Sequence, residues 1–234
     1  TLLFVAAITE KMKLGQTVLI MGYRPPVQTA KLIATLDVLS EGRAILGAGI
    51  GWMREEFEVL GMPYDNRGKR ADEQLEIFDA LFTHDTPSYD GEFYSFPEIK
   101  FEPKPVQDRV PVWIGGASEP AYRRTARFGD CFHAAFEPID RVAEEWERVQ
   151  ELTVEAGRNV DDMQLSVRLY LDPASNMRPA LSIAGDTQQM IDSMSQWKSI
   201  GVDHVLVDIT APGGPGARLE AMQAFMTDVV PNIG

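Results

Sequence analysis

The sequence predicts a parallel α/β fold, a (β/α)8 barrel of the TIM type whose first two βα units would precede Thr1. Three observations predict it. Apolar strands alternate with amphipathic helices along most of the chain, the order that builds a parallel sheet. Those strands are continuous apolar runs, as strands covered on both faces are. The chain also opens in a helix, because TLLFVAAITEKMKLG sets Leu2, Leu3, Val5, Ala6 and Ile8 on one helical face. An open doubly wound sheet accounts for the alternation as well; the opening helix, read as the end of an earlier unit, favours the barrel.

The elements follow in order. KLGQTVLIM (13–21) reads as a buried strand, and GYRPP turns into the helix QTAKLIATLDVLS, with Leu32, Ile33, Leu36 and Leu39 on one face. Pro26 suits a helix start and Gly42 a helix stop. AILGAGIG is a second strand, followed by the polar helix start MREEFEVL. An insertion over 61–110 then combines the amphipathic helix RADEQLEIFDALF with SYDGEFYSFPEIKFEPKP, a hairpin plus extended chain. The alternation resumes with VPVWIGG and a helix from Glu119 to about Arg127, then DCFHAAF and a helix that Gly157 stops. LSVRLYL precedes a helix opening at GDTQQM, where Asp186 and Gln189 have capping-box spacing. HVLVDI precedes the last helix, ARLEAMQAFMTDVV. No linker divides the chain, so residues 1–234 read as one domain.

Composition narrows the function. Hydrophobic residues are 44% of 234, enough for a large core, and no apolar run has the length of a membrane span. A formal net charge of −13 argues against a nucleic-acid partner, which needs a basic surface. One cysteine, Cys131, excludes an internal disulfide and suits a reducing compartment, hence the cytoplasm. His84, His133 and His204 carry no metal-ligand spacing, so no metal site is expected.

RAILGAGIGWMREEF raises the question of a dinucleotide fingerprint. That fingerprint is Gly-x-Gly-x-x-Gly, with an acidic residue ending a strand about 20 residues on. Here Gly47, Gly49 and Gly51 alternate, Trp52 follows, and no such acidic residue is present. The fingerprint is absent. Alternate residues of a strand share a face, so the glycines bare one side while Leu46, Ala48 and Ile50 fill the other. The bare side either admits a flat ring or neighbouring backbone, or relieves crowding.

LIATLDVLSEGRAILGAGIGWMREEFEVLG, PYDNRGKRADEQLEIFDALF, SYDGEFYSF and VPVWIGGASEPAYRRTARFGD together resemble the bacterial luciferase-like monooxygenase superfamily. The branch most similar is that of deazaflavin (coenzyme F420)-dependent oxidoreductases. The resemblance runs from Thr1 to the C-terminus in unbroken order. It implies a TIM-type barrel with its chemistry at the C-terminal ends of the strands. It also implies hydride transfer between F420 and a small organic substrate, or an FMN-dependent monooxygenase reaction with dioxygen on the same scaffold, in a homodimer. A degenerate, non-catalytic barrel is the reading from another class.

Site residues follow from that match. GGAS, between a strand and a helix, is an anion site in which free N–H groups and the helix dipole converge; the resemblance gives Gly115, Gly116, Ala117 and Ser118 the cofactor phosphate, with Arg123 as a helper and Glu119 as an awkward neighbour. It places a non-prolyl cis peptide that buttresses the ring at Thr17–Val18, and Gly49 and Gly51 of the bare strand face are read with it as cofactor-binding residues. Arg24 is expected at the mouth, toward an anionic cofactor tail or substrate, or as a solvated loop arginine.

The remaining charged residues divide by position. Asp37, Ser40 and Arg43 sit at a helix-to-strand turn, the stability face of a barrel, and are read as capping and local pairing. Arg67, Arg70, Asp72 and Glu73 are read as a solvated or interface network. His133, near the end of its strand, is the only catalytic candidate, as a pocket-lining donor. Cys131 lies two residues away, too far along a strand for a good Cys–His hydrogen bond, and is read as core. His204 begins its strand and His84 is read as exposed. Arg168 either holds a substrate anion or pairs with a carboxylate such as Asp172 or Asp208.

Overall fold

Apolar runs that lack helical period must find backbone partners across strands, and those of this chain find them in parallel. The computed structural model describes residues 1–172, 178–210 and 213–233. The chain divides into two compact units, Thr1–Gly115 with Arg127–Asp130, and Gly116–Ala126 with Cys131 onward.

The first unit runs α1 (Leu2–Ile8), β1 (Leu19–Ile20), α2 (Pro26–Leu39), β2 (Leu46–Gly49), α3 (Arg54–Val59), α4 (Arg67–Thr83), a hairpin of β3 (Tyr89–Asp90) and β4 (Ser95–Phe96), and β5 (Val112–Gly115). β2 pairs in parallel with β1, Ile20 opposite Gly49, and with β5, Ala48 opposite Ile114. Leu46, Ala48 and Ile114 join a core with Ile33 and Ala34 of α2 and Ile77 and Phe78 of α4. The proline at the start of α2 lacks the N–H that a first helical turn leaves unbonded.

One expected element is shorter than its sequence suggests. Of 13–21, only Leu19–Ile20 forms a strand, while Leu14 makes a single bridge to Ala44. Between them residues 15–18 leave the ladder, and the Thr17–Val18 peptide is cis, as the resemblance implies. An apolar run reports burial rather than pairing, so sequence could not show the excursion.

Polar anchors fix the turns. The wholly buried Asp37 carboxylate accepts the N–H groups of Val106 (2.8 Å), Gln107 (3.1 Å) and Ala44 (3.4 Å), and the Gln107 side-chain amide (2.6 Å). Arg43 donates to the carbonyls of Ser40, Met12 and Ala6 and to the Thr9 hydroxyl, tying α1 to the turn before β2. Both residues are structural, as their position predicts, but beside local bonds to Ala44 and Ser40 they staple segments remote in the chain, Asp37 to residues 106–107 and Arg43 to Ala6, Thr9 and Met12. Glu73 of α4 accepts the N–H groups of Glu92, Phe93 and Tyr94 and so holds the hairpin turn. Arg70 lies over the Phe93 ring at 4.4 Å.

The second unit contains α5 (Glu119–Phe128, whose last two residues count with the first unit), β6 (Cys131–Ala135), α6 (Ile139–Glu155), β7 (Gln164–Leu171), β8 (Ser182–Ile183), α7 (Thr187–Ser199), β9 (His204–Ile209) and α8 (Gly214–Ala224). A π-helical turn, Phe225–Val229, continues α8. β7 pairs in parallel with β6, with β8 and with β9, Leu169 opposite Val207. β8, two residues long, is too short to leave a period in the sequence. Asp186 and Gln189 form the expected capping box, each side chain meeting the other's backbone N–H at 2.9 Å. Phe132, Ala134, Leu165, Val167, Leu169 and Leu171 face one core with Val149 of α6 and Trp197 of α7. No described helix is long and apolar enough to cross a membrane.

Removing the Asp37 carboxylate leaves the buried Ala44 N–H and three part-buried donors without this acceptor, a cost of about 1–3 kcal/mol for one buried group. Asp37→Ala is expected to lower unfolding stability by about 3 kcal/mol, read from urea denaturation midpoints. A loss below about 0.5 kcal/mol, the range of ordinary surface substitutions, would contradict the staple.

Candidate functional site

In the first unit the glycine strand is a bed for the segment before β1. A Cβ on Gly47 would lie 1.7 Å from the Gln16 carbonyl oxygen, and one on Gly49 would lie 2.3 Å from Val18 Cγ2. At Gly51 it would meet Ile20 and Phe57 at 2.8 and 3.1 Å. The bare face is therefore filled by the chain's own residues 16–20 and Phe57. Of the two uses that the alternation allowed, close approach of neighbouring backbone is the one realised. A ring cannot rest directly on Gly49 or Gly51, since Val18 and Ile20 already stand there. What these glycines do is let Thr17–Val18 lie against β2.

Around the C-terminal ends of β1 and β2, Tyr23 donates to Glu56 and packs edge-on against Phe57, which packs edge-on against Tyr64. Burial and the Glu56 carboxylate push the Tyr23 phenol up to about 12. Arg54 and Arg67 each lie over the Tyr64 ring, at 4.2 and 4.1 Å, and Arg67 donates to the Gly51 carbonyl at 3.1 Å. Arg67 is thus a fixture of the β2 end rather than a solvated charge. Arg24 is exposed just after the 3-10 turn Met21–Tyr23.

The second unit separates its residues by strand face. Leu165, Val167, Leu169 and Leu171 face the core, so Ser166, Arg168 and Tyr170 point the other way, with His133 of β6 and Asp208 of β9. His133 is 2% exposed, and its Nδ1 shares a 2.9 Å hydrogen bond with the Ser166 hydroxyl. Burial, helped by the Arg168 charge, pulls its imidazole down to about 4. The ring is neutral at neutral pH and bonds to Ser166, not to Cys131, which is wholly buried.

Arg168 takes Asp208 as its carboxylate, with Nη2 2.9 and 3.0 Å from the two oxygens and Nε at 3.2 Å. An anionic ligand would meet an ion pair rather than an open charge. Arg168 also lies 5.1 Å from the Phe136 ring centre, Phe136 stacks on Tyr170 at 4.5 Å, and Arg178 caps Tyr170 at 4.9 Å. Sequence reading named Arg168 and Tyr170 but missed Ser166 and Phe136. The alternation of polar residues in QLSVRLYL carried the signal for Ser166; Phe136 had none, because a left-handed φ of 59° turns it.

The turn before α5 exposes Gly116, Ala117 and Ser118. Gly116 has φ 131°, a backbone other residues rarely adopt, and a Cβ there would meet Ala121 Cβ at 3.1 Å. The Ser118 carbonyl opens the helix by accepting from Ala121 and Tyr122. Glu119 is drawn off by Arg123 (2.6 Å) and Arg148 (3.0 Å), so the expected arginine helper neutralises the awkward carboxylate. The Arg148 hydrogen bond is the main reason the Glu119 carboxyl is held below its usual range. His204 pairs with Gln164 and His84 is exposed. Among the described residues no cluster of His, Cys, Asp and Glu could hold a metal ion.

Two tests follow from this geometry. Gly47→Ala is expected to displace residues 16–18 at a cost of about 1–3 kcal/mol, read as a lowered urea midpoint; an unchanged midpoint would refute the close approach. For His133, the unfolded imidazole titrates near 6.5 and the folded one near 4, so below 6.5 the unfolded chain binds the extra proton. Its contribution is constant above about pH 6.5 and is lost as pH falls toward 4, by about 3 kcal/mol. His133→Asn should flatten that part of the stability profile between pH 7.5 and 4.5. Parallel profiles for the two proteins would overturn it.

The sequence model of the luciferase-like monooxygenases matches residues 1–228. An uncharacterized protein of Mycobacterium tuberculosis, Rv0940c, is 32% identical over 219 residues, which are 93% of this chain and 69% of that protein. The FMNH(2)-dependent dimethylsulfone monooxygenase of Pseudomonas putida is 28% identical over 227 residues, covering 95% of this chain and 54% of the relative. Among solved structures, the coenzyme F420 dependent tetrahydromethanopterin reductase of Methanopyrus kandleri superposes with a TM-score of 0.84 at 19% identity, over all of this chain and 86% of the other. That likeness shows the shared α/β barrel-type fold. The match over nearly the whole length and the mycobacterial relative establish that the chain belongs to the luciferase-like monooxygenase family.

Proposed function

We propose that this chain is an oxidoreductase that binds coenzyme F420 and exchanges a hydride between its deazaflavin ring and a small organic substrate. The observation that carries the reading is the turn before α5. Its exposed residues Gly116, Ala117 and Ser118 precede a helix dipole, and the nearby Glu119 carboxylate is neutralised by two guanidinium groups. That donor set fits a phosphate, so Gly115, Gly116, Ala117 and Ser118 would hold it.

In the first unit Thr17 and Val18, bedded on Gly47 and Gly49, would buttress the ring, with Gly51 behind Ile20. Arg24 would meet an anionic tail or substrate. In the second unit the neutral His133 would serve as a hydrogen-bonding ring oriented by Ser166, and the Arg168–Asp208 pair as a charge-balanced wall. The bound deazaflavin supplies the hydride chemistry, while the protein supplies orientation and electrostatics. A homodimer accords with the exposed apolar residues Phe4 and Ile8 of α1 and Leu32 and Leu39 of α2. The buried lone Cys131 accords with a reducing, cytoplasmic setting.

The second reading is an FMN-dependent monooxygenase using dioxygen, favoured by the 28% identity to the Pseudomonas putida enzyme. Titrating the protein with F420 and FMN in parallel separates the two. We expect F420 to bind, and Gly116→Val to weaken it about tenfold or more, about 1.4 kcal/mol. FMN binding alone moves the assignment to the monooxygenase; binding of neither overturns both.

A further inference from the structure

The first unit holds a cavity of about 490 Å³ at the other end of its strands, where Leu46 and Val112 begin β2 and β5. That volume lies within the range of small-molecule sites. Its apolar wall is Leu75, Phe78 and Phe82 of α4 with Val110, Val112 and Phe128. Enzymes of barrel type place their chemistry at the C-terminal strand ends, so this cavity is separate from the cofactor reading above.

The polar groups around it are held rather than loose. Gln107 is gripped by the buried Asp37, Arg109 sits on Asp130 at 3.0 Å, and Arg127 sits on Glu76 at 2.5 Å and over the Phe128 ring at 4.5 Å. Each lining cation therefore has its own carboxylate. Two further lining carboxylates, Asp79 and Asp108, are exposed and have no ion-pair partner among the described residues. The cavity thus combines an aromatic and aliphatic wall with two uncompensated negative charges, on a protein whose formal net charge is −13. A neutral or anionic guest leaves those charges unbalanced, and an anion is repelled by them.

We infer that this cavity binds a hydrophobic organic cation, an aryl- or alkylammonium whose body lies along Phe78, Phe82 and Phe128 and whose charge meets Asp79 and Asp108. Burial of the apolar body supplies most of the affinity, and the two carboxylates select the sign of the charge.

The test uses 2-phenylethylammonium as probe, with 2-phenylethanol and 3-phenylpropionate as neutral and anionic counterparts, in calorimetric or ligand-observed NMR titrations of the whole chain. The ammonium is expected to bind saturably, at least about tenfold tighter than either counterpart, and more weakly as salt is raised. The double variant Asp79→Asn/Asp108→Asn, altered only at exposed carboxylates, should lose about tenfold in ammonium affinity and none in 2-phenylethanol affinity. Thr83→Trp, placing a large ring at the cavity wall, should abolish binding of all three while leaving the circular dichroism spectrum unchanged. Three results overturn the assignment: no saturable ammonium binding, equal affinity for the three probes, or unchanged ammonium affinity in the double variant. F420 or FMN titration reports on the other end of the strands, so failure here and failure of the proposed function are distinguishable.

Discussion

The first unit depends on the absence of a single carbon. With the Gln16 carbonyl oxygen 1.7 Å from where a Gly47 Cβ would stand, no other residue is compatible with residues 15–18 lying where they do. From that contact follow the departure of the chain from the ladder after Leu14, its return as β1, and the position of Thr17–Val18 against β2. Gly49 extends the same bed beneath Val18. A strand that looks poor in side chains is therefore closely packed, since its neighbours supply the atoms it lacks.

The second unit works on another principle. Along β7 each second residue belongs to the core and the others to a polar face, and β6 and β9 follow suit. Burial without charge compensation would be costly on that face. Hence Arg168 carries Asp208 with it, and His133 stays neutral beside Ser166. Chemistry placed here would begin from balanced charges and a ring whose orientation is fixed.

Much of this was legible in the residues. Helix limits were marked by Pro26, the Asp186–Gln189 box and Gly157, and parallel strands by unbroken apolar runs. Position alone identified Asp37 and Arg43 as structural. What sequence could not give is distance between segments remote in the chain. The choice of Asp208 over Asp172 for Arg168 depends on the register of β7 against β9, in which Tyr170 faces Asp208. The grip of Glu73 on the hairpin depends on where a turn about 20 residues onward folds back. Gly47, Gly49 and Gly51 declared that something approaches closely; only the fold shows that it is the chain itself.

The alternation in β7 has an evolutionary consequence. Because Val167 and Leu169 answer to the core while Ser166, Arg168 and Tyr170 answer to the polar face, the two sets can drift under separate selection. One set can be exchanged while the other preserves the scaffold. A family built on such strands can diverge far in chemistry while its backbone stays superposable.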